Sequence, residues 1–172
     1  MTDIVEQRTP FGVEKLTVAE LLSAYGAILD ELRRREIVRS SNSPLSDYAE
    51  LLFCKAFAWS REGNSAAGHD ATDAAGIRYQ IKGRRLTRHN ASRQMSAIRN
   101  LDATPFDYLG GLLVDDGFQI IRAALVPIVV VRERSVHVTH TNSWKFLLRD
   151  DVWNLPGVRD VTAELRAVVA TI

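Results

Sequence analysis

The sequence has little of several features that define common protein classes. It contains a single cysteine, Cys54, which excludes an intrachain disulfide. Its four histidines and this cysteine show none of the spacings that are typical of zinc sites. No apolar run approaches the roughly 20 residues that a membrane-spanning helix needs, and nothing at the N-terminus has the pattern of a signal peptide. We therefore expect a cytoplasmic protein without a membrane partner.

The overall charge is small, but the basic residues are unevenly distributed. The 172 residues are 46% hydrophobic and 25% charged, with a net charge of +1, as expected for a globular protein with one core. No acidic residue lies between Asp73 and Asp102, whereas lysine or arginine occupies positions 78, 82, 84, 85, 88, 93 and 99. A local basic surface of this kind can bind a phosphate backbone although the total charge nearly cancels. A solvated face is the alternative interpretation.

Two runs of alternating polar and apolar residues, 69–73 and 77–83, flank a small-residue turn that contains Gly76. This pattern predicts a β-hairpin. Side chains alternate along a strand, so we expect a buried face and a polar, basic face on the second strand. The buried face would carry Ile77, Tyr79 and Ile81, and the polar face Arg78, Gln80, Lys82 and Arg84.

Hairpin geometry decides which aspartate can join the polar face. With the turn near residue 75, Asp70 lies opposite Tyr79 or Gln80, whereas Asp73 lies at the turn and is expected to bond its own backbone. Gln80 and Lys82 share a face at a separation of roughly 7 Å. A carboxylate, an amide oxygen and an ammonium group on one hairpin form a candidate site for a hard cation such as Mg²⁺ beside a phosphate.

The order Asp70, hairpin, then Gln80-Ile81-Lys82 resembles the Asp…(Asp/Glu/Gln)-x-Lys signature of the PD-(D/E)XK, or restriction endonuclease-like, superfamily, in a Gln-x-Lys variant. The sequence differs from the usual signature at two positions: His69 stands where proline is frequent, and Gln80 replaces a carboxylate. The glutamine removes one negative charge from a metal site and keeps an oxygen ligand.

The resemblance implies a catalytic set and its cofactor. Asp70, the Gln80 side-chain oxygen, the Ile81 carbonyl and Glu50 would bind Mg²⁺ or Mn²⁺, and Lys82 would act on the attacking water and the phosphate. Glu50 would be the acidic residue that many members of the superfamily carry on the helix before the hairpin. A salt bridge from Glu50 to an arginine is the structural alternative, because a buried charge needs a partner.

The segment that follows the hairpin supplies candidate contacts to nucleic acid. Arginine and amide side chains can serve phosphates or base edges, and the sequence leaves both open. The candidates are Arg84, Arg85, Arg88, Asn90, Ser92, Arg93 and Gln94.

Periodicity and cap signals predict the other elements. Thr17 and Glu20 fit a capping box, Pro44 begins a helix that runs to about residue 58, and Thr162 is expected to cap a last helix. We also expect a short helix at 92–100 with Met95 and Ile98 inward. Strands at 106–114 and 118–125 are predicted on either side of an Asp-Asp-Gly turn. The β-branched residues of 128–135 favour a strand, but the proline before them and their charged end also allow a short helix, and the resemblance favours the helix.

These elements together predict an α/β protein in which helices flank a central mixed β-sheet. The resemblance implies that this core is restriction endonuclease-like. We expect one domain over 1–172, with an extended lead at 1–16, an N-terminal helix at 17–41, the nuclease-like core at 43–161 and a C-terminal helix at 162–172.

The leading functional hypothesis is an Mg²⁺-dependent endonuclease that hydrolyses phosphodiester bonds of DNA, most naturally double-stranded DNA. A palindromic target would require a two-fold homodimer. Two alternatives stay open: a nuclease-like module that binds nucleic acid without cleaving it, and a protein-interaction subunit of a defence or toxin system.

Overall fold

The computed structural model describes residues 11–40, 43–63 and 68–172. These residues divide into two compact units, 1–44 and 45–172, which are described separately. The single domain predicted for 1–172 therefore stays a prediction. Most of the predicted extended lead lies outside the described residues, and Val13–Lys15 form a short 3₁₀ turn. Within the described ranges, no helix is both long and apolar enough to cross a membrane.

The first unit contains helix α1, Val18–Arg34. The predicted capping box is confirmed, because the Thr17 hydroxyl accepts the Glu20 N–H at 3.3 Å and the Glu20 carboxylate accepts the Thr17 N–H at 2.8 Å. The helix ends at Arg34, within one residue of the end near Arg35 that its periodicity predicts, although the predicted N-terminal segment extends over 17–41. Arg34 and Arg35 both pair with Glu31, each at 2.7 Å, so these cations are engaged within the helix end.

The second unit is built on a six-stranded sheet in the order β1-β2-β3-β4-β5-β8. Strands β3 and β4 are parallel and every other neighbouring pair is antiparallel, which confirms the predicted mixed sheet. A separate pair, β6 and β7, is antiparallel. The strands are β1 Ser60–Arg61, β2 Ala71–Thr72, β3 Arg78–Arg85, β4 Tyr108–Val114, β5 Ile120–Pro127, β6 Val136–Val138, β7 Ser143–Lys145 and β8 Arg159–Asp160.

Helices cover both faces of this sheet, as predicted. They are α2 Leu45–Phe57, α3 Ile128–Arg134 and α4 Thr162–Val169. One core lies where α2 and α4 meet the face that carries Tyr79, Ile81 and Leu112. The other core includes Val130 of α3 and Leu109 of β4. Because β3 and β4 are buried between the two cores, the residues at their ends are held in fixed positions.

The prediction of a short helix at 92–100 is wrong. This segment is extended, and its backbone pairs with the region around β7: Met95 N–H donates to the Phe146 carbonyl at 2.9 Å, and Ile98 and Trp144 exchange two hydrogen bonds. Met95 and Ile98 are nevertheless buried, as predicted. The spacing of three residues between Met95 and Ile98 is compatible with a helix. In the structure the segment is extended instead, and its irregular backbone allows both side chains to be buried.

Two smaller differences between prediction and structure concern the segment before the hairpin and the C-terminal helix. The segment between α2 and the hairpin, for which no strand was predicted, contains β1, which pairs with β2. The C-terminal helix ends at Val169, within one residue of the predicted end at Ala170, and Thr162 is its first residue and not its cap. The Thr162 hydroxyl instead accepts the Ala123 N–H at 2.9 Å, which ties α4 to β5.

Candidate functional site

The hairpin of β2 and β3 has the register that the sequence predicts. Ala71 pairs with Tyr79 and Thr72 with Arg78, so Asp70 lies opposite Gln80. The Asp70 N–H donates to the Tyr79 carbonyl at 2.8 Å. Tyr79 and Ile81 are buried, whereas Gln80 and Lys82 are half-buried on the other face. The structure thus brings Asp70 and Gln80 into direct contact, with Lys82 two residues further along the same face.

Asp73 is a turn residue, also as predicted. Its Oδ1 accepts the Ala75 and Ile77 N–H groups, both at 2.9 Å. Its Oδ2 accepts the Tyr79 hydroxyl at 2.9 Å. The hydrogen bond from the Ile77 backbone is the main cause that lowers the pKa of Asp73. These bonds occupy the carboxylate in closing the turn, so it is not part of the polar face.

The Asp70 carboxylate is anchored on β3. Its Oδ2 accepts the Ile81 N–H at 2.6 Å and also accepts a hydrogen bond from the Gln80 side-chain amide. A glutamate at position 80 would place a second negative charge against Asp70, and like charges at this distance repel unless a cation lies between them. The neutral amide of Gln80 allows the two side chains to touch without such a cation.

Lys82 differs from the other basic residues of β3, because Arg78, Arg84 and Arg85 each have a partner within the protein. No residue in the described ranges forms a hydrogen bond or ion pair with its ammonium group. On β4, the residue paired with Lys82 is Gly111. A Cβ at Gly111 would come within 2.6 Å of the Leu148 side chain, so the core requires a glycine beside Lys82. Lys82 is thus a half-buried cation on a rigid strand, and an external anion can bind it.

Glu50 is bound by an arginine, which is the structural alternative that the sequence left open. Arg61 donates from Nε to Glu50 at 2.8 Å and from a terminal nitrogen to Asp47 at 3.1 Å. The three side chains are between 11% and 18% exposed. Arg61 lies opposite Ala71 on the neighbouring strand, so this cluster flanks the hairpin. The metal-binding role of Glu50 stays a prediction.

Gly68 sets the path of the chain into Asp70. Its φ of +100° lies in the region that favours glycine, and a Cβ there would come within 2.7 Å of the Pro105 side chain. Both constraints exclude an ordinary side chain two residues before the candidate carboxylate.

A second ion pair fixes the start of β3 against β4. Arg78 donates from its backbone N–H and its Nε to Asp107 Oδ2, at 2.9 and 3.1 Å, and from a terminal nitrogen to Oδ1 at 3.0 Å. The Asp107 N–H returns a bond to the Arg78 carbonyl at 2.8 Å. The Arg78 side chain is the main cause that lowers the pKa of Asp107.

Arg61 and Asp107 are residues that the sequence reasoning missed. Arg61 is separated from Glu50 by 11 positions and Arg78 from Asp107 by 29 positions. The sequence showed that Glu50 needs a partner, but it did not show that this partner is Arg61. It also gave no sign that Arg78 pairs with Asp107. Only the strand register decides which charges meet.

The segment with the candidate nucleic-acid contacts folds back on itself. Thr87 and Asn90 exchange backbone bonds at 3.0 Å, and the side chains of Asn90 and Ser92 accept the N–H groups of Ser92 and Gln94 at 3.1 and 3.3 Å. Arg84 donates to the Ser92 carbonyl at 2.9 Å, which ties the segment to β3. These polar side chains therefore shape the loop, whatever they contact outside the protein.

Two of the other candidate arginines have acidic partners within the protein. Arg85 lies 3.8 Å from Asp116, and Arg93 lies 2.7 Å from Asp150. Arg88 is exposed, and its Nε donates to His89 at 3.0 Å. Among the predicted contacts, Arg84 and Arg88 are therefore the arginines without an acid bound to their side chains in the described part of the chain, and Arg88 is the more exposed of the two.

The ligand atoms available at the hairpin are oxygens, which is the type of ligand that Mg²⁺ and Mn²⁺ bind. Asp70 supplies a carboxylate, and the Ile81 carbonyl points to the strand edge nearest Asp70 because peptide groups alternate along β3. In the hydrogen bond to Asp70 the Gln80 side chain presents its nitrogen. A rotation of the amide group by half a turn would present its oxygen to a cation instead. In the described ranges no group of three histidine, cysteine or acidic residues could hold a metal ion, so a cation here would keep several waters.

Comparison with protein-family models and with curated proteins finds no match for this chain. The structure shows an α/β fold in which a mixed sheet lies between helices.

Proposed function

We propose that this protein is a metal-dependent DNA endonuclease of the restriction-enzyme type that hydrolyses phosphodiester bonds. The observation that supports it best is the half-buried Lys82, which has no internal partner in the described residues and shares a strand face with the Asp70–Gln80 pair. A carboxylate and an unpaired cation side by side are what a metal-assisted attack on a phosphate diester needs.

Asp70, the Gln80 side-chain oxygen and the Ile81 carbonyl would hold Mg²⁺ or Mn²⁺, with Glu50 as a further ligand or as a ligand through water. When bound, the ion would lower the pKa of a coordinated water and neutralise charge on the leaving oxygen. Arg61 competes for the Glu50 carboxylate, since it donates to it at 2.8 Å. Asp70 is therefore the central carboxylate of the proposed site.

Lys82 acts on the phosphate in this proposal. Its ammonium group offsets the negative charge that develops on the phosphate oxygens and holds the attacking water by a hydrogen bond. A positioned charge of this kind contributes about 10²–10³ in rate in well-studied enzymes. The rigidity of β3 keeps the ammonium group in place, because its neighbours Ile81 and Gly111 are fixed in the two cores.

The test is cleavage of supercoiled and linear DNA by the purified protein with Mg²⁺, with Mn²⁺ and with a chelator. We expect nicking or discrete fragments that require metal and that fall at least about 10²-fold in Lys82→Ala. Lys55→Ala is the matched control, because Lys55 is an exposed lysine on α2. Equal cleavage by the Lys82→Ala and Lys55→Ala proteins would refute the catalytic role.

A second candidate is a module that binds DNA without cutting it. The hydrogen bond from the Gln80 amide to Asp70 favours it, because this contact satisfies the Asp70 carboxylate without a cation. This candidate predicts DNA affinity that is indifferent to Mg²⁺, and no cleavage in either metal. DNA affinity that rises with Mg²⁺, together with cleavage, would favour the endonuclease.

A further inference from the structure

A second cationic site lies away from the hairpin, in an open cleft between the extended segment 94–99 and strands β6 and β7. The cleft has a volume of about 370 Å³, and its lining includes Gln94, Arg99, His140, Ser143, Trp144 and Lys145. This volume is within the range of about 300–1,000 Å³ that is typical of small-molecule sites. None of the residues that line it is acidic.

The cations of this cleft lack internal partners. Arg99 and Lys145 are exposed, and in the described residues neither their side chains nor that of His140 form an ion pair or hydrogen bond. In contrast, Arg93 lies only a few residues away and is paired with Asp150 at 2.7 Å. Two permanent charges on one cleft without a counter-ion favour an anionic ligand.

The cleft also offers an aromatic surface on a rigid support. Trp144 is half-buried, and its backbone exchanges hydrogen bonds of 2.7 and 3.1 Å with Ile98. The His137 ring packs against the indole with their centroids 5.0 Å apart. An indole fixed in this way, with arginine and lysine beside it, has the chemistry that binds an unpaired base and its phosphates.

The position of the cleft is compatible with a nucleic acid that also reaches the hairpin. Trp144 packs against the core that contains Met95 and Leu148. The same two side chains lie next to Gly111, the residue paired with Lys82. The cleft and Lys82 are therefore on the same side of the sheet, and Gln94, a predicted nucleic-acid contact, lines the cleft.

We propose that this cleft binds an unpaired nucleotide of DNA, with the base stacked on Trp144 and the flanking phosphates held by Arg99 and Lys145. This inference depends on the proposed function for the identity of the ligand as DNA. It adds that the protein recognises single-stranded or locally opened DNA beside the place where it acts.

The test measures binding of a labelled short oligothymidylate in the presence of a chelator, so that cleavage is not required. We expect tighter binding to the single strand than to a duplex with the same number of phosphates, and quenching of tryptophan fluorescence that is lost in Trp144→Phe, because Trp59 and Trp153 also fluoresce. Inorganic polyphosphate, which has the charge but no bases, should leave this fluorescence unchanged. Equal affinity for both DNA forms, or quenching by polyphosphate, would overturn the proposal.

Variants separate the two parts of the site. Arg99→Gln with Lys145→Gln should reduce the slope of log affinity against log salt by about 1.4, since each phosphate contact on a single strand contributes about 0.7. Lys55→Gln with Arg159→Gln is the matched control, because these residues are an exposed lysine and an exposed arginine outside the cleft. A control that changes the slope as much as the cleft variant would contradict the assignment.

Trp144→Leu keeps an apolar side chain in the core and should weaken binding about tenfold, whereas Trp144→Phe should retain most of it. Unchanged binding in the leucine variant would refute the stacking role. Plasmid cleavage in Mg²⁺ is measured in parallel on the parent protein. Oligothymidylate binding without cleavage would refute the endonuclease alone, and cleavage with no preference for a single strand would refute the cleft alone.

Discussion

Arg61 and Lys82 are both half-buried cations next to the same hairpin, and their surroundings are opposite. Arg61 lies between the carboxylates of Glu50 and Asp47, at 2.8 and 3.1 Å. Lys82 has no partner among the described residues. A buried cation that already has two acids stabilises the fold, whereas one without an acid has to be balanced by water or by an anion from outside. The difference separates structural charges from candidate functional ones.

The same distinction applies to the rest of the basic surface. Arg78 and Arg93 are engaged by Asp107 and Asp150, at 3.0 and 2.7 Å. The side chains of Arg99 and Lys145 have no internal partner in the described ranges. A count of basic residues therefore overestimates the surface that is available to phosphates. Cations without an acidic partner in the described residues also lie elsewhere, for example Lys55, Arg149 and Arg159, and those at Lys82, Arg88 and the cleft differ from them by lying at the candidate sites.

The largest effect should follow from removing Arg61. In Arg61→Ala the two carboxylates lose the guanidinium between them, and breaking a buried ion pair costs about 3–5 kcal/mol. The free energy of unfolding in urea measures this loss. Lys82→Ala should leave that free energy within about 0.5 kcal/mol of the parent value. Similar destabilisation by both substitutions would remove the distinction between the two cations.

The pair of Arg78 and Asp107 predicts a smaller, pH-dependent effect. The pKa of Asp107 in the folded protein is below its ordinary value of 3.8, chiefly because of Arg78. A depressed folded pKa contributes stability above the unfolded pKa, and this contribution is lost as the pH falls through the folded pKa. Asp107→Asn should therefore cost about 1 kcal/mol at neutral pH, discounted for partial exposure.

Denaturant unfolding at a series of pH values measures this contribution. The difference between the parent and Asp107→Asn proteins should be constant above about pH 5 and shrink below about pH 4. A difference that stays constant down to low pH would show that Asp107 does not titrate against Arg78.

The smallest effect is expected on DNA binding, when Arg88 and Arg93, two arginines of the same segment, are substituted in turn. Arg88→Ala should lower DNA affinity a few-fold and reduce the salt slope by about 0.9, the contribution of one phosphate contact on duplex DNA. Arg93→Ala should remove the ion pair with the exposed Asp150, with little effect on stability, and should leave the slope unchanged. The opposite result would show that paired arginines also bind DNA.

The sequence predicted those parts of the structure that local signals determine. The register of Asp70 with Gln80 followed from a short turn and strict alternation, and the helix start at Thr17 followed from its capping box. Strands β4 and β5 followed from the turn at Asp115. Each of these features is settled by residues within about a dozen positions of one another, where backbone geometry leaves few choices.

Contacts between distant segments were not predictable in the same way. The segment 92–100 is extended because its backbone pairs with residues near 144–147, which the spacing of Met95 and Ile98 does not reveal. The partner of Glu50 depends on β1, a two-residue strand that has no signature of its own. The pairing of Arg93 with Asp150 joins positions far apart in the chain. Burial was therefore easier to predict than the identity of charge partners.

The measurement that tests the central claim most directly is plasmid cleavage by the parent protein and by Asp70→Asn, with Mg²⁺ and with Mn²⁺. Asparagine keeps the size of the side chain and an oxygen for the Ile81 N–H, but it removes the negative charge on which cation binding depends. We predict metal-dependent cleavage by the parent and a loss of at least about 10²-fold in the variant. Cleavage at equal rates by both proteins, or no cleavage by the parent in either metal, would contradict the assignment of the hairpin as a nuclease centre.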